Sequence, residues 1–258
     1  MTSHREEASS PVRRALARGP ALNAWLSIPS GFAAEIVGRA GFDAVTVDMQ
    51  HGMIGFDAAL PMLQALGATS ASPLVRVPAL DGPAIMHVLD AGAHGIICPM
   101  ISTAAEARAL VSACRYPPHG TRSFGPARAY LQGRPGFVAE ADAAILVLAM
   151  IETREGIENA DAILAVPGLD GIYIGPNDLS LALGAEPASE PGGAAGETIE
   201  DLRARARAAG RHAGIFCSNA EAAAARAAQG FDIVTPGNEA SWLRAAGAAA
   251  VRALRGEG

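Results

Sequence analysis

Glu152 stands directly behind an unbroken apolar run, Ile145–Ile151, and Arg76 sits inside Leu-Val-Arg-Val-Pro at 74–78. A carboxylate in the first setting is costly unless it is paired or binds a metal. An arginine in the second usually meets an anion or a buried acid. Two more polar groups follow apolar runs in the same way: Asp48, Gln50 and His51 after Ala44–Val47, and Asn177 and Asp178 after Gly171–Pro176. Asp48, three residues before His51, is placed to orient the imidazole as a general base. Glu152 and Asp178 offer two oxygen ligands with no cysteine or histidine beside them. That set suits a hard divalent cation, Mg²⁺ or Mn²⁺, which keeps positions open for substrate oxygens and water, whereas zinc prefers nitrogen or sulfur. A cation and an arginine around an anionic substrate fit the stabilisation of an enolate. Two plainer readings stay open: Asp178 as a helix cap, and His51 as an ordinary loop residue.

The composition closes off other chemistry. The 258 residues carry 20 Lys+Arg against 26 Asp+Glu, a net charge of −6, and all the basic residues are arginine. Without lysine there is no Schiff-base aldolase, no pyridoxal-phosphate enzyme and no P-loop lysine. An arginine-favouring composition explains the absence equally well, and the exclusion holds either way. Mild acidity without a basic stripe argues against nucleic acid as a partner. Cys98, Cys114 and Cys217 are odd in number and far apart, which predicts reduced thiols and a cytoplasmic protein. The charged N-terminus does not read as a signal peptide, and the longest apolar stretch, Ala143–Ile151, reads as too short to cross a bilayer.

These side chains need elements to hold them. Eight apolar runs read as strands: Ala21–Ile28, Ala44–Met49, Pro73–Pro78, Gly95–Met100, Ala144–Glu152, Gly171–Pro176, His212–Ser218 and Asp232–Gly237. Between them lie helical patterns at Gly31–Ala40, Phe56–Leu66, Pro83–Asp90, Thr103–Cys114, Gly156–Leu164, Thr198–Ala209 and Ala220–Gln229, with Glu239–Leu254 closing the chain. Thr103 and Glu106 form a capping-box pattern. Eight β/α repeats in this length predict one α/β domain over 1–258, a (β/α)₈ barrel, with 1–20 as an N-terminal extension and first helix. A doubly wound sheet would want a GxGxxG behind an early strand, and there is none. Two Pro/Gly-rich segments, Tyr116–Asp142 and Leu179–Gly196, read as long loops. In such a barrel the C-terminal strand ends carry chemistry. The rule keeps Asp48, Gln50, His51, Arg76, Glu152, Asn177 and Asp178. It sets aside His94, which precedes its strand, and His212, which opens its strand at the N-terminal end, as well as His87, His119 and His4.

At this point the sequence resembles a family. Val-Asp-Met-Gln-His-Gly at 47–52, Leu-Val-Arg-Val-Pro at 74–78, Arg-Tyr-Pro-Pro-His-Gly-Thr-Arg at 115–122, Ile-Glu-Thr-Arg-Glu at 151–155 and Gly-Ile-Tyr-Ile-Gly-Pro-Asn-Asp-Leu-Ser at 171–180 look like the HpcH/HpaI class II pyruvate aldolases. The resemblance runs from about Ala21 to about Ala250. It implies reversible cleavage of 4-hydroxy-2-oxo acids to pyruvate, or hydroxypyruvate, and an aldehyde. It implies a divalent cation on Glu152 and Asp178 (Mg²⁺ or Mn²⁺, with Co²⁺ a further candidate), Arg76 on the enolate oxygen and His51 as base. Backbone amides near Asn177 and Asp178 would hold the substrate carboxylate, with Gly175 and Pro176 beside them in the substrate-binding set. Asp90 matches a family acid that approaches the histidine from a neighbouring subunit. A homo-hexamer, a trimer of dimers with an exchanged C-terminal helix, is the implied assembly. The sequence departs from the family pattern at Gln50, where many members have glutamate, and at Met150, where many have a substrate-contacting glutamine. The loop Ser123–Ala139 also looks shortened. Two alternatives accompany this reading: a citryl- or malyl-CoA lyase of the same superfamily, and a non-catalytic metabolite-binding barrel.

Overall fold

Runs rich in valine, isoleucine and leucine, most of them set off from an alanine-rich helix by glycine, become strands buried on both faces. In the computed structural model, which describes residues 10–132 and 137–256, eight such strands lie in parallel. They are β1 (Ala21–Leu26), β2 (Ala44–Asp48), β3 (Ser72–Arg76), β4 (Gly95–Cys98), β5 (Leu146–Ile151), β6 (Gly171–Ile174), β7 (His212–Cys217) and β8 (Ile233–Pro236). Each pairs with the next, and β8 returns to β1 to close the barrel. The expected (β/α)₈ architecture is the one observed.

Alternation by two sorts the side chains. Trp25, Leu74, Ile97, Leu148, Met150 and Tyr173 belong to the buried cluster on the barrel axis. Their neighbours Val45, Val75, Ile96, Val147 and Ile172 pack outward in the larger core under the helices. Polar groups on the axis satisfy one another, as buried polar groups must. Asn23 Nδ2 donates to Thr235 Oγ1 at 2.8 Å, Thr46 Oγ1 donates to Asn23 Oδ1 at 3.0 Å, and the Tyr173 hydroxyl lies 2.7 Å from Thr235 Oγ1. Gly214 leaves room for the Tyr173 ring, since a Cβ there would stand 2.6 Å from its Cδ2.

The helices are α1 (Pro11–Leu16), α2 (Gly31–Gly38), α3 (Phe56–Leu66), α4 (Gly82–Asp90), α5 (Ala104–Cys114), α6 (Phe137–Ala144), α7 (Arg154–Glu158), α8 (Ala160–Leu164), α9 (Pro176–Ala182), α10 (Gly193–Ala208), α11 (Ala220–Gln229) and α12 (Glu239–Arg255). The capping box at Thr103 and Glu106 is present. Helix α1 stoppers the N-terminal end of the barrel. Val12 and Ala15 join the axial cluster, and Val12 N–H donates to Ser72 Oγ at 2.9 Å. The first nine residues of the expected extension, and 133–136 of the first long loop, lie outside the described residues.

The structure corrects several boundaries. The helix expected over Gly156–Leu164 is two short helices that meet at Asn159, whose Nδ2 donates to Ser102 O at 2.9 Å instead of facing solvent. The segment expected as a loop over Leu179–Gly196 holds the end of α9 and the start of α10. Pro176 presets the first helical φ of α9, which the glycine and proline count further on conceals. Tyr116–Asp142 carries a 3₁₀ turn, Ala129–Gln132, and most of α6; Ala144 ends α6 and does not begin β5. Helix α12 is anchored through its first turn, where the Trp242 ring stacks on Phe42 with centroids 5.7 Å apart. From Leu243 to Arg255 every residue is exposed.

Candidate active site

The C-terminal strand ends surround a cavity of about 340 Å³. Strand register sets Asp48 beside Arg76, and the two-residue repeat turns both inward above Thr46 and Leu74. Arg76 donates from Nε to Asp48 Oδ1 at 2.8 Å and from Nη2 to Oδ2 at 2.6 Å. Its guanidinium carbon lies 4.9 Å from the centre of the Trp25 ring, and Nη1 faces Met150 Sδ at 4.0 Å. Burial alone would raise the Asp48 carboxyl. The two charge-assisted bonds from Arg76 outweigh it, with smaller help from Trp25 and the His51 amide, and hold Asp48 below the usual carboxylate range.

The expected service of Asp48 to the His51 imidazole is therefore corrected. Asp48 Oδ1 accepts only main-chain bonds from that loop, from Gln50 N–H at 3.0 Å and His51 N–H at 3.3 Å. Both carboxylate oxygens are committed to Arg76. The His51 side chain is exposed and lines the cavity, and its ring has no hydrogen-bond partner among the described residues.

Glu152 continues the inward-facing series of β5, two residues beyond Met150, and is 3% exposed. Its Oε1 accepts the Met100 N–H at 2.8 Å. That amide is aimed by an unusual backbone, because Met100 is the one described non-glycine residue with positive φ, at 59°. Oε2 is buried with no partner among the described residues. Burial pushes the Glu152 carboxyl up to about 7; the nearby Asp178 charge pushes the same way, and the Met100 amide and Arg76 pull against it. Gly175 lies hard against this carboxylate, since a Cβ there would stand 2.5 Å from Oε2 and 2.9 Å from Met150 Cε.

Asp178 enters the cavity from the first turn of α9, beside Pro176 and Asn177, where no side chain caps the helix. The two carboxylates supply only oxygen donors. No group of three or more histidine, cysteine or acidic side chains suited to a metal exists among the described residues. A cation here would complete its shell with water and substrate oxygens, a habit of Mg²⁺ and Mn²⁺ rather than of structural zinc. The orphaned Glu152 Oε2 and the like-charged neighbour fit that occupant.

The structure thus brings Asp48, His51, Arg76, Met150, Glu152, Gly175, Pro176, Asn177 and Asp178 to one mouth. Two expected residues are not there. Gln50 does not line the cavity, and its Oε1 is buried without a partner among the described residues. Asp90 ends α4, is bound by Arg122 Nη2 at 2.6 Å, and faces a separate cavity bounded by α3, α4 and residues 123–131. Four lining residues were not anticipated: Trp25 and Ser27 at the end of β1, Phe216 on β7 and Asn238 after β8. The strand-end rule selects them once it is extended from charged side chains to aromatic and neutral polar ones.

Fold and mouth together define a (β/α)₈ enzyme whose site combines a buried carboxylate, a second acid and an acid-clamped arginine. The profile of the HpcH/HpaI aldolase/citrate lyase family matches residues 23–246. A hydroxypyruvate/pyruvate aldolase of Rhizorhabdus wittichii is 46% identical over 228 residues, covering 88% of this chain and 91% of the relative. A 4-hydroxy-2-oxovalerate aldolase of Rhodococcus jostii is 38% identical over 213 residues, covering 80% and 82%. The solved structure of a family protein from Burkholderia cenocepacia J2315 superposes with a TM-score of 0.88 at 29% identity, covering 95% of this chain and 98% of the other. This chain belongs to the HpcH/HpaI aldolase/citrate lyase family and is a carbon–carbon lyase.

Proposed function

We propose that the protein is a metal-dependent aldolase that cleaves 4-hydroxy-2-oxo acids to pyruvate, or hydroxypyruvate, and an aldehyde, and that also runs the reverse addition. The observation that carries this reading is Glu152: a buried carboxylate with one oxygen fixed by Met100 N–H and the other bare, beside Asp178 and Arg76. Glu152 and Asp178 would hold the cation, Mg²⁺ or Mn²⁺ with Co²⁺ as a further candidate. When bound, such an ion polarises the carbonyl and carboxylate oxygens of a 2-oxo acid.

The chain's own groups then divide the work. The Asp48 fork immobilises Arg76 and leaves Nη1 to donate to the oxygen on which enolate charge gathers. In the cleavage direction His51 accepts the proton of the C4 hydroxyl, the C3–C4 bond breaks as the aldehyde carbonyl forms, and the electron pair passes into an enolate over C2 and C3. Protonation at C3 yields the oxo acid. The uncapped first turn of α9, at Asn177 and Asp178, faces the substrate carboxylate, and Gly175 and Pro176 shape its seat. Met150 closes the floor beside Arg76. Gln50 acts only through the loop that carries His51.

Asp90 belongs, in this reading, to the His51 of a neighbouring subunit in a homo-hexamer whose α12 helices are exchanged. The exposed length of α12 supports that assembly. Three buried free cysteines fit a cytoplasmic setting. Among the described residues no helix is long and apolar enough to cross a membrane. The test is retro-aldol cleavage of a 4-hydroxy-2-oxo acid with and without EDTA, paired with deuterium exchange at pyruvate C3 in D₂O. Activity undiminished in fully chelated enzyme, or wild-type exchange in Arg76→Ala, overturns the assignment.

A further inference from the structure

We infer that Ser27, held by Asn238, forms the aldehyde half of the mouth and selects a hydroxylated aldehyde, such as glycolaldehyde, through a hydrogen bond to its hydroxyl group. The inference rests on the aldolase reading above and names the class of its second substrate.

The cavity is chemically divided. Asp48, Arg76, Glu152 and Asp178 come from β2, β3, the residue after β5 and the start of α9, and they account for the oxo acid. Across from them β1 and the β8–α12 junction present Ser27 and Asn238, with Trp25 and Phe216 in edge contact at 5.7 Å as an apolar floor. Among the described residues Arg76 is the one guanidinium lining the cavity, and it is tied to Asp48.

Ser27 is held by its surroundings. Its N–H donates to Glu239 Oε1 at 2.6 Å, its carbonyl accepts Met53 N–H at 3.0 Å, and its Oγ accepts Asn238 Nδ2 at 3.3 Å. Asn238 Oδ1 is committed to the α12 cap through Ser241 N–H at 2.9 Å. The Ser27 hydroxyl proton therefore finds no acceptor among the described residues, and one lone pair of Oγ is left over. A donor and an acceptor on one fixed oxygen match a ligand hydroxyl, which is also both.

Charge refines the choice. The buried Glu239 stands directly behind this half of the mouth, where its Oε1 takes the N–H groups of both Ser27 and Ile28. Its field disfavours an aldehyde that carries its own carboxylate. A neutral hydroxyaldehyde fits both the hydrogen-bonding and the electrostatic pattern.

The experiment measures kcat/KM for pyruvate addition to glycolaldehyde, acetaldehyde and glyoxylate. The wild-type enzyme is expected to favour glycolaldehyde over the other two. Ser27→Ala should lower the glycolaldehyde-to-acetaldehyde ratio by about 3- to 10-fold, the scale of one neutral hydrogen bond. Asn238→Asp should lower it too, because the new carboxylate keeps the helix cap but captures the Ser27 proton. A wild-type enzyme that does not favour glycolaldehyde, or an unchanged ratio in both variants, overturns the inference. C3 exchange of pyruvate by the wild type without any aldehyde separates the two levels. If exchange is absent, the aldolase reading falls. If exchange is present without a hydroxyl preference, only this inference falls.

Discussion

Arg76 gives Nε and Nη2 to Asp48, at 2.8 and 2.6 Å, and keeps Nη1 against the Met150 sulfur at 4.0 Å. Two nitrogens aim the guanidinium and the third has only a soft, weak acceptor, so a developing oxyanion competes with little for it. Asp48 is thereby a positioning residue for Arg76. Asp48→Asn should lower kcat for retro-aldol cleavage by about 100-fold or more, the scale on which a displaced oxyanion donor is felt. Steady-state kinetics check this: a variant with wild-type kcat and a raised KM alone contradicts it. Asp48→Ala should also cost about 3–5 kcal/mol in a denaturant melt, because it strands a buried guanidinium.

Gly175→Ala tests the wall of the proposed metal seat. The added Cβ would press on Glu152 Oε2 from 2.5 Å, so the carboxylate has to turn away. The backbone itself tolerates a side chain, with φ at −97°. Mn²⁺ affinity by calorimetry should fall about tenfold or more while the thermal melt of the metal-free protein changes little. The magnitude follows from mutations that disturb the orientation of a metal's ligands.

Glu152 also sets a pH dependence. With its carboxyl pushed up to about 7 before a cation arrives, a proton competes for the same oxygens. Apparent Mn²⁺ affinity should be level above that pH and fall about tenfold for each unit below it, as expected for the loss of one proton on binding. A titration series between pH 5.5 and 8.5 reads the slope. Glu152→Gln should flatten it and weaken binding throughout.

His94 makes a separate prediction about stability. It precedes β4 at the stoppered end, with Nδ1 buried and unpartnered among the described residues. Burial, then the charges of Arg128 and Arg14, lower it from 6.5 to about 4. The unfolded chain therefore takes up the proton first as pH falls. Stability contributed by neutral His94 is full above pH 6.5, drains away on descending toward pH 4 and is gone below it, a loss of about 3 kcal/mol at most. Urea melts at pH 7 and pH 4.5 should differ less in His94→Gln than in the wild type.

The barrel was legible because its pattern is redundant. All eight strands were found, each within two residues at either end, since each is a short, largely aliphatic run, most with a glycine near the flank. Arg76, Glu152 and Asp178 were legible for a different reason, because a charge beside an apolar strand has few inexpensive explanations. What escaped was side-chain choice among competitors. Nothing in the spacing of Asp48 and His51 shows that Arg76, 28 residues beyond Asp48, lies alongside it in the barrel and wins its carboxylate. Ser27 and Asn238 escaped because neutral residues at strand ends are common, and only closure of β8 onto β1 brings these two together. Helix α9 was hidden by the loop composition that follows it.

Val12 and Ala15, seated in the bottom of the barrel, have a consequence for traffic. A passage open at both ends could load the oxo acid from one side and the aldehyde from the other. Among the described residues the site of this barrel opens only at the C-terminal strand ends. The reactant whose oxygens reach the buried Glu152 and Arg76 has to arrive first and leave last, while its partner comes and goes above it. On the proposed aldolase reading, turnover should be ordered, with the aldehyde departing before the oxo acid in cleavage and the queue running the other way in synthesis, which product-inhibition kinetics check.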